Sequence, residues 1–273
     1  MCSILGIPRS TYYKKINAVK STREVENELI KKNILKIYID SKCIYGAPKI
    51  HAMLSKMSIH ISLKKVQRLM RTLSIRSIII KKYRPASSKK PKTGLENVLK
   101  RDFTTTSINE KWVGDITYIH TQADGWCYLA SVLDLHSKKI VGYSFGKNMT
   151  NALVETALKN ACYLQEISKN SNIIFHSDLG SQYTSYDLKE LCRDFDMIQS
   201  FSKKGCPYDN ACIESFHAII KKEEVYRTTY KDFKEAEIAI FAYIESLYNS
   251  KRLHSALDYK TPNEVELLAR NVV

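Results

Sequence analysis

Three segments in the middle of the chain have the mainly apolar composition that is typical of β-strands. They cover residues 112–119, 126–133 and 140–145, and β-branched and aromatic residues are frequent in them. Asp124 and Gly125, between the first two segments, are a strong short-range signal for a hairpin turn. The pattern therefore predicts three antiparallel strands that follow one another in a meander.

Downstream of this meander, apolar residues recur at helical and at strand spacing in turn. We predict helices over residues 151–166, 186–195 and 210–222, and short apolar strands at 173–177 and 197–201. Three strands, helix, strand, helix, strand and helix is the order of a ribonuclease-H-like α/β domain with a five-stranded mixed sheet. The pattern alone does not select this layout over other α/β folds.

The first third of the chain has helical spacing. Gly46 and Pro48 interrupt the chain and begin a short helix, and Ser62 is a suitable N-cap for a second one. Two short helices joined by a turn resemble a helix-turn-helix, so we expect a small all-helical DNA-binding domain here. An ordinary solvated charged face is the alternative interpretation of the second helix. Its polar side carries the candidate DNA-binding residues Lys64, Lys65, Gln67, Arg68 and Arg71.

A partial motif stands at the start of the sequence. Residues 5–14 resemble the turn and second helix of another helix-turn-helix. Half of such a motif cannot bury its apolar face by itself. These residues are therefore predicted to be either a tail or part of a unit that an upstream extension completes.

Charge is distributed unevenly along the 273 residues, whose formal net charge is +15. Residues 1–100 hold 23 Lys and Arg against 5 Asp and Glu, a net of +18, which leaves a net of −3 for the remainder. A local excess of this size indicates a polyanionic partner, and we expect double-stranded DNA. Between the two parts, residues 81–104 begin with a run rich in Lys, Pro and Ser, which predicts a basic linker.

Several classes of protein are disfavoured by what the sequence lacks. It has no run of eighteen apolar residues and no basic start followed by an apolar stretch, so we expect a cytosolic protein without a membrane partner. The seven cysteines include no C-x-x-C pair, which favours reduced core thiols over a disulfide framework or a zinc site. Glycine-rich phosphate-binding motifs are also absent.

Three carboxylates stand out by their positions. Asp115 lies inside an apolar strand, Asp178 directly follows a buried strand, and Glu214 lies on the predicted helix 210–222. A carboxylate inside an apolar strand is costly unless it is paired or binds a cation. Three converging acids repel one another, and their hard oxygen atoms favour Mg²⁺ or Mn²⁺. We therefore expect a divalent-metal site, against the alternative that each acid is an ordinary hydrogen-bonded structural residue.

Other polar residues near these acids are expected to be structural. Asp134 also follows a strand, but the residues after it predict a hairpin end, which favours a structural acid. His176, Ser177 and Asp178 have the composition of a hydrolytic triad, yet adjacent strand residues point to opposite faces and cannot converge. We expect His176 to pack in the core or to support the site from behind.

Three motifs contain the acids: WVGDITY at residues 112–118, FHSDLGSQY at 175–183 and KGCPYDNACIESF at 204–216. They resemble the integrase catalytic core of bacterial DDE transposases, most closely the second-reading-frame product of the insertion-sequence-three family, which is related to retroviral integrases. Sixty-two residues separate the two aspartates, and thirty-five separate Asp178 from Glu214, the family's hallmark interval. The resemblance covers nearly the whole chain and includes Lys221, Tyr248, Asn249, Arg252, His254, and Thr261 with Pro262 at the start of a capped helix.

The resemblance implies a transposase that cuts and joins DNA at the ends of an insertion sequence by two-metal phosphoryl transfer. Asp115, Asp178 and Glu214 would be the catalytic residues and would hold two Mg²⁺ ions, with Mn²⁺ as a substitute. Asn210 and Lys221 would place DNA beside them. The resemblance also implies an upstream first-frame product, as a partner or fused to this chain, and a homo-oligomer on DNA.

Two alternative functions use the same residues differently. The chain could be a ribonuclease-H-like nuclease or resolvase, or a DNA-binding regulator of transposition without catalytic activity.

The predicted domain order is a partial helix-turn-helix or tail over residues 1–22, a helix-turn-helix-like domain over 23–80, the basic linker over 81–104, the catalytic core over 105–225 and a C-terminal helical segment over 226–273.

Overall fold

The computed structural model describes residues 6, 8–16, 21–78, 96–203 and 206–271. The chain divides into two units, residues 1–78 and residues 79–273. Buried apolar side chains occur in both, so each unit has a core of its own. Within these described ranges, no helix is both long and apolar enough to cross a membrane.

The first unit is built from helices. Its elements are α1 (Arg9–Ile16), α2 (Thr22–Asp40), α3 (Ala47–Lys56) and α4 (Leu63–Thr72). Ser21 begins α2 with a capping box, because its Oγ accepts a hydrogen bond from the N–H of Glu24 while the Glu24 carboxylate accepts one from the N–H of Ser21. Ser62 caps α4 by accepting a hydrogen bond from the N–H of Lys65 at 3.2 Å. Pro48 lies in the first turn of α3.

Helices α2, α3 and α4 share one apolar core. Ile34, Ile50, Leu54 and Val66 are each 0% exposed. Their burial confirms the two short helices and the turn that the sequence predicts. Helix α1 confirms helical structure after Pro8, whereas Leu5 and Ile7 of the partial motif lie outside the described residues.

Five strands of the described second unit form one mixed sheet. They are β1 (Lys111–Thr121), β2 (Gly125–Asp134), β3 (Ile140–Gly146), β4 (Ile174–Ser177) and β5 (Ile198–Phe201). The spatial order is β3-β2-β1-β4-β5. Strands β1, β2 and β3 form the predicted antiparallel meander, and β4 and β5 pair parallel to β1 and β4 respectively.

Helices connect and follow these strands in the predicted order. They are α5 (Asn151–Leu164), α6 (Tyr186–Asp194), α7 (Ala211–Ile220), α8 (Phe233–Ala242) and α9 (Pro262–Arg270). A 3₁₀ turn at Pro207–Asn210 leads into α7. Two π-helical turns, Lys221–Val225 and Tyr243–Asn249, extend α7 and α8. The arrangement confirms the ribonuclease-H-like fold.

The two faces of the sheet differ. Trp112 and Phe175 are buried in the core between the sheet and helices α5 and α6. Gly142 on β3 allows α5 to lie close, since a Cβ atom there would be only 2.4 Å from the carbonyl oxygen of Ala157. Asp115 is an odd number of residues from Trp112 on β1, so it points to the opposite face, against which α7 packs.

The predicted linker, residues 81–104, extends too far toward the C-terminus. Of residues 81–104, the described part begins at Glu96 and packs on the second unit. Leu99 is 2% exposed and donates its N–H to Ser200 Oγ at 2.9 Å, and the carbonyl oxygen of Glu96 accepts a hydrogen bond from Phe201. Residues 96–104 therefore belong to the second unit, because Leu99 provides an apolar anchor that the basic composition upstream obscures. Residues 79–95 lie outside the described ranges.

The C-terminal segment is helical as predicted, but it is packed into the second unit. The side chain of Asn249 bonds to both the N–H and the carbonyl oxygen of Ile140, each at 3.0 Å. Thr261 and Glu264 form the predicted capping box at the start of α9. The segment therefore contributes to the same folded unit as the sheet.

The cysteines in the described ranges are free thiols. Cys127, Cys162 and Cys192 are buried, as predicted, and the remaining members of the set are half-buried. Burial raises the pKa of Cys162 and of Cys192 to about 12. Cys2 lies outside the described residues.

Candidate active site

One edge of β1 is open along most of its length. Strand β4 pairs with β1 only in the register Lys111 to Val113, and the next backbone pairing on that edge is the bridge between Thr121 and Tyr230. Among the described residues, no strand pairs with this edge between Gly114 and His120. This stretch of β1 without a pairing strand begins next to the end of β4.

Asp115 lies near the start of this open edge. Its carboxylate is half-buried, and Oδ1 accepts a hydrogen bond from the N–H of Ile116 at 2.8 Å. The preceding residue must be small, because a Cβ atom on Gly114 would lie 2.8 Å from Cζ of the Phe175 ring. Glycine therefore lets β1 pass over Phe175 directly before the acid.

A buried histidine fixes the second oxygen of Asp115. The imidazole of His217, on α7, places Nδ1 3.3 Å from Asp115 Oδ2 and Nε2 2.8 Å from Ser131 Oγ. Ser131 lies opposite Asp115 in the register of β1 and β2. The sequence interpretation missed both residues. The signal was present, since His217 follows Glu214 by three residues and so shares its side of a helix.

Asp178 immediately follows β4, on the strand that neighbours β1. Its Oδ1 accepts a hydrogen bond from the N–H of Gly180 at 2.9 Å. Although the residue has an exposed surface, the surrounding protein removes part of its hydration and raises its pKa, and the negative charge of Asp115 raises it further. The two aspartates are therefore close enough to repel each other.

Tyr183 lies near both aspartates. Its side chain is 2% exposed, and burial followed by the charges of Asp115 and Asp178 holds the pKa of its hydroxyl far above the usual range. The hydroxyl is neutral at any physiological pH, so Tyr183 adds no further negative charge. It is a further residue near the acids that the sequence interpretation missed.

Glu214 comes from the first turn of α7 and is half-buried. The helix is anchored by Ile213, Phe216 and Ile220, which are at most 1% exposed. Within the described ranges, no three His, Cys, Asp or Glu side chains are grouped closely enough to hold a metal ion. The structure thus brings Asp115 and Asp178 together electrostatically and places Glu214 on the helix that contacts Asp115 through His217.

Asn210 does not have the position expected of a DNA contact. It is 5% exposed, and its Nδ2 donates a hydrogen bond to the carbonyl oxygen of Gly114 at 3.1 Å. That bond connects the start of α7 to β1 beside Asp115. The burial of Asn210 does not support the predicted DNA contact, and the residue instead positions α7.

Lys221 lies at the end of α7, on the helix that carries Glu214. Its Nζ is 4.0 Å from the centroid of the Tyr118 ring, which is a close cation–π contact. Tyr118 is on the open edge of β1. The contact brings Lys221 to this edge, and its role in placing DNA beside the acids stays a prediction.

Asp134 and His176 have the structural roles expected of them. Asp134 is 1% exposed and accepts hydrogen bonds from Ser137 and Asn109 at the hairpin end. His176 is 0% exposed, with ring nitrogens 2.8 Å from Ser200 Oγ and 3.0 Å from Ser202 Oγ. Burial lowers the pKa of His176 to about 4, so the ring is neutral.

Comparison with known proteins agrees with this fold. A family model described as an integrase core domain matches residues 106–207, a second integrase core domain model matches 196–262, and an HTH-like domain model matches 24–83. The transposase of insertion sequence element IS904 from Lactococcus lactis is 36% identical over 250 residues, which cover 90% of this chain and 96% of that protein. The transposase InsF of insertion sequence IS3A from Escherichia coli is 34% identical over 269 residues, covering 97% and 92% respectively.

The chain belongs to the insertion-sequence-three family of transposases. The resemblance that the sequence motifs indicate is thereby confirmed. Among solved structures, the HTLV-2 integrase catalytic core domain in complex with magnesium aligns with 59% of this chain and 97% of its own, at 17% identity and a TM-score of 0.45.

In this transposase, α4 of the HTH-like domain presents most of the predicted basic face to solvent. Lys64, Gln67, Arg68 and Arg71 are exposed. Lys65 differs, because it is half-buried and its Nζ pairs with the carboxylate of Glu26 on α2 at 2.9 Å. Lys65 is therefore less available to a phosphate than its neighbours.

Proposed function

We propose that this transposase cuts and joins DNA at the ends of its insertion sequence by metal-dependent phosphoryl transfer, with Asp115, Asp178 and Glu214 as the catalytic acids. The observation that carries the proposal is the position of Asp178 at the end of β4, the strand that pairs parallel to β1 beside Asp115, where burial and then the charge of Asp115 raise the pKa of Asp178. Such an arrangement needs a compensating cation.

The chemistry of the three acids suits a divalent cation. Carboxylate oxygens are hard ligands, and a cluster of them selects Mg²⁺ or Mn²⁺. When bound, two such ions supply Lewis acidity to the attacking and the leaving oxygen of the phosphoryl transfer. Because the side chains are not grouped as a ready-made cage in the described ranges, we expect the three acids to draw together when the cations and DNA bind.

The protein's own contribution is to hold these acids and the DNA in place. His217 and the N–H of Ile116 fix the two oxygens of Asp115, and the N–H of Gly180 fixes one oxygen of Asp178. Lys221 supplies a positive charge at the same edge for a phosphate. No side chain is required to form a covalent bond to DNA, since a water molecule or a DNA 3′-hydroxyl is the nucleophile.

Duplex DNA is the proposed partner of both units. The exposed side chains of α4 would contact the element ends, with Lys and Arg meeting phosphates and Gln67 reaching base edges. We also propose an upstream first-frame partner or fusion that completes the helix-turn-helix to which α1 belongs, and a homo-oligomer on the DNA that holds two element ends and the target together.

Strand transfer from a pre-cut element end tests this function. In Mg²⁺ the parent chain, joined to its upstream partner if it needs one, should insert the end into target DNA, and Asp178→Asn should abolish joining while DNA binding persists. Asp194→Asn is a matched control, because Asp194 is an exposed aspartate at the end of α6. Joining by a folded Asp178→Asn variant would refute the assignment.

The same assay separates the alternatives. A plain nuclease or resolvase would hydrolyse the substrate without forming the joined product. A regulator without catalytic activity would bind the element ends equally well with and without Mg²⁺ and would neither cut nor join them under any divalent metal.

A further inference from the structure

The β1–β2 hairpin carries exposed aromatic rings on one face. Tyr118 is 56% exposed and Trp126 is 54% exposed. The Trp126 ring is in edge-to-face contact with Tyr118 at 5.2 Å and with His120 at 5.0 Å between centroids. We call these three residues the hairpin aromatic patch.

Stabilisation of the hairpin explains the contacts between these rings but not their exposure to solvent. His120 and Trp126 are directly opposite each other in the strand register, and cross-strand aromatic pairs stabilise a hairpin. Stabilisation alone does not require that more than half of Tyr118 and of Trp126 stay in water. Large aromatic rings exposed together are typical of a binding surface.

Lys221 connects the hairpin aromatic patch to the candidate active site. Tyr118 and Asp115 are three residues apart and point to opposite faces of β1. Lys221 follows α7, which packs on the face of Asp115, and yet its Nζ lies 4.0 Å from the centroid of Tyr118. A side chain can therefore pass around the open edge of β1 from the acids to the rings.

This geometry limits what the patch can bind. Tyr118 is about 10 Å along β1 from Asp115, at about 3.3 Å per residue. The Nζ of Lys221 over the ring provides a positive charge for a phosphate, and flat aromatic faces stack on nucleobases without regard to sequence. Bases in a duplex are already stacked on each other, so only unpaired bases can use such a surface.

We propose that the hairpin aromatic patch binds unpaired nucleobases of the DNA strand that lies next to the phosphate being cut or joined. Trp126 and Tyr118 stack on the bases, and Lys221 contacts the adjoining phosphate. This inference rests on the proposed function, because it assigns the patch to the same DNA substrate. It adds a site for a frayed or single-stranded flank, beyond the three acids.

Binding to oligonucleotides tests the inference, with the full chain, joined to its upstream partner if the function requires it. The chain has two tryptophans, and Trp112 is 0% exposed, so quenching of the accessible fluorescence by DNA reports on Trp126. We compare an element end carrying an unpaired flank with the same end fully paired. Trp126→Leu removes the ring, Trp126→Phe retains a stacking surface, and Tyr163→Ala is the control, since Tyr163 is 83% exposed on α5.

The expected result is specific for the unpaired flank. The DNA with the unpaired flank should quench the fluorescence of Trp126, and the fully paired DNA should not. Trp126→Leu should weaken the affinity for the flanked end by about fivefold or more and leave the affinity for the paired end unchanged. Trp126→Phe should restore most of the affinity, and Tyr163→Ala should match the parent. The inference would be overturned if Trp126→Leu bound each DNA as tightly as the parent does. It would also be overturned if Trp126→Leu lost the same affinity for the paired end as for the flanked end.

The same measurements separate failure of the inference from failure of the proposed function. Quenching that depends on protein concentration in the absence of DNA would mean that the patch binds a second copy of the chain, and it would contradict the inference. If the parent neither binds nor joins DNA, the proposed function fails and the inference fails with it. If the parent binds and joins DNA while Trp126→Leu is indistinguishable from it, only the inference fails.

Discussion

The imidazole of His217 joins Asp115 to the neighbouring strand, with Nδ1 3.3 Å from Asp115 Oδ2 and Nε2 2.8 Å from Ser131 Oγ. His217 is 5% exposed, so the ring itself is held inside the protein. The ring therefore sets the orientation of the Asp115 carboxylate, and through α7 it connects that carboxylate to the helix that carries Glu214.

Replacing His217 should impair the site more than the fold. Residues that orient a metal-binding side chain typically contribute about 10- to 100-fold in metal affinity or activity. We expect His217→Leu to lose joining activity and Mn²⁺ affinity within that range, and His217→Asn to recover part of both, because its amide nitrogen can occupy the position of Nδ1. Thermal unfolding of the variants provides the stability control, and equal Mn²⁺ affinity in His217→Leu and the parent would show that the histidine does not position Asp115.

His176 should make the folded state sensitive to acid. Its pKa falls from the ordinary 6.5 to about 4 because it is buried among Ser200 and Ser202. Between these values the unfolded chain binds a proton and the folded chain does not, so the free energy of unfolding decreases as the pH falls from about 6.5 to 4. The loss reaches about 3 kcal/mol at most.

Denaturant unfolding at several pH values measures this effect. His176→Gln should lose less stability than the parent over the same pH interval, because glutamine does not titrate. The other titrating groups are common to both proteins, so the difference between their slopes isolates His176. Identical slopes would contradict the prediction.

A buried ion pair holds the C-terminal segment against the end of α7. The guanidinium of Arg252 donates to both carboxylate oxygens of Glu223, each at 2.9 Å, and the Tyr243 hydroxyl donates to the same carboxylate at 2.8 Å. Removing one partner of such a pair leaves a buried charge and typically costs about 3–5 kcal/mol. We expect that loss for Glu223→Leu and for Arg252→Met in urea unfolding.

The double variant tests the coupling. Glu223→Leu with Arg252→Met leaves neither charge unpaired, so its loss of stability should be clearly smaller than the sum of the two single losses. Simple addition of the two losses would mean that the pair does not interact across this interface.

Two basic residues of α4 should differ in their contribution to DNA binding. Arg68 is exposed, whereas Lys65 pairs with Glu26. If Arg68 meets a phosphate, Arg68→Gln should reduce the slope of log affinity against log salt by about one unit. Lys65→Gln should change the slope less. A larger effect at Lys65 than at Arg68 would contradict the orientation assigned to this helix.

The strand and helix order was predictable because each element has a clear hydrophobic period. Asp115 and Asp178 could be selected because acids at those positions are costly without a partner. The resemblance to a family supplied the interval to Glu214 and the sequence pattern at Tyr248, Asn249, Arg252 and His254. It could not supply the reason for that pattern, which is the set of contacts from the C-terminal segment to β3 and to the end of α7.

Other features depend on contacts between distant parts of the chain. The role of His217 requires the pairing of β1 with β2 as well as the rotation of α7, and no local period contains both. The resemblance implied a DNA contact for Asn210, but its amide bonds to Gly114 O because the 3₁₀ turn before α7 brings it against β1. The basic character of residues 81–95 masked the apolar anchor Leu99 nearby.

Binding of Mn²⁺ to the transposase on its element-end DNA tests the central claim most directly. The signal of free Mn²⁺ in electron paramagnetic resonance gives the affinity for the parent and for Asp115→Asn, Asp178→Asn and Glu214→Gln, with Asp194→Asn as the control. We predict that each of the three variants binds Mn²⁺ about tenfold or more weakly while binding DNA like the parent. Unchanged Mn²⁺ affinity in all three would contradict the assignment of Asp115, Asp178 and Glu214 as the metal ligands.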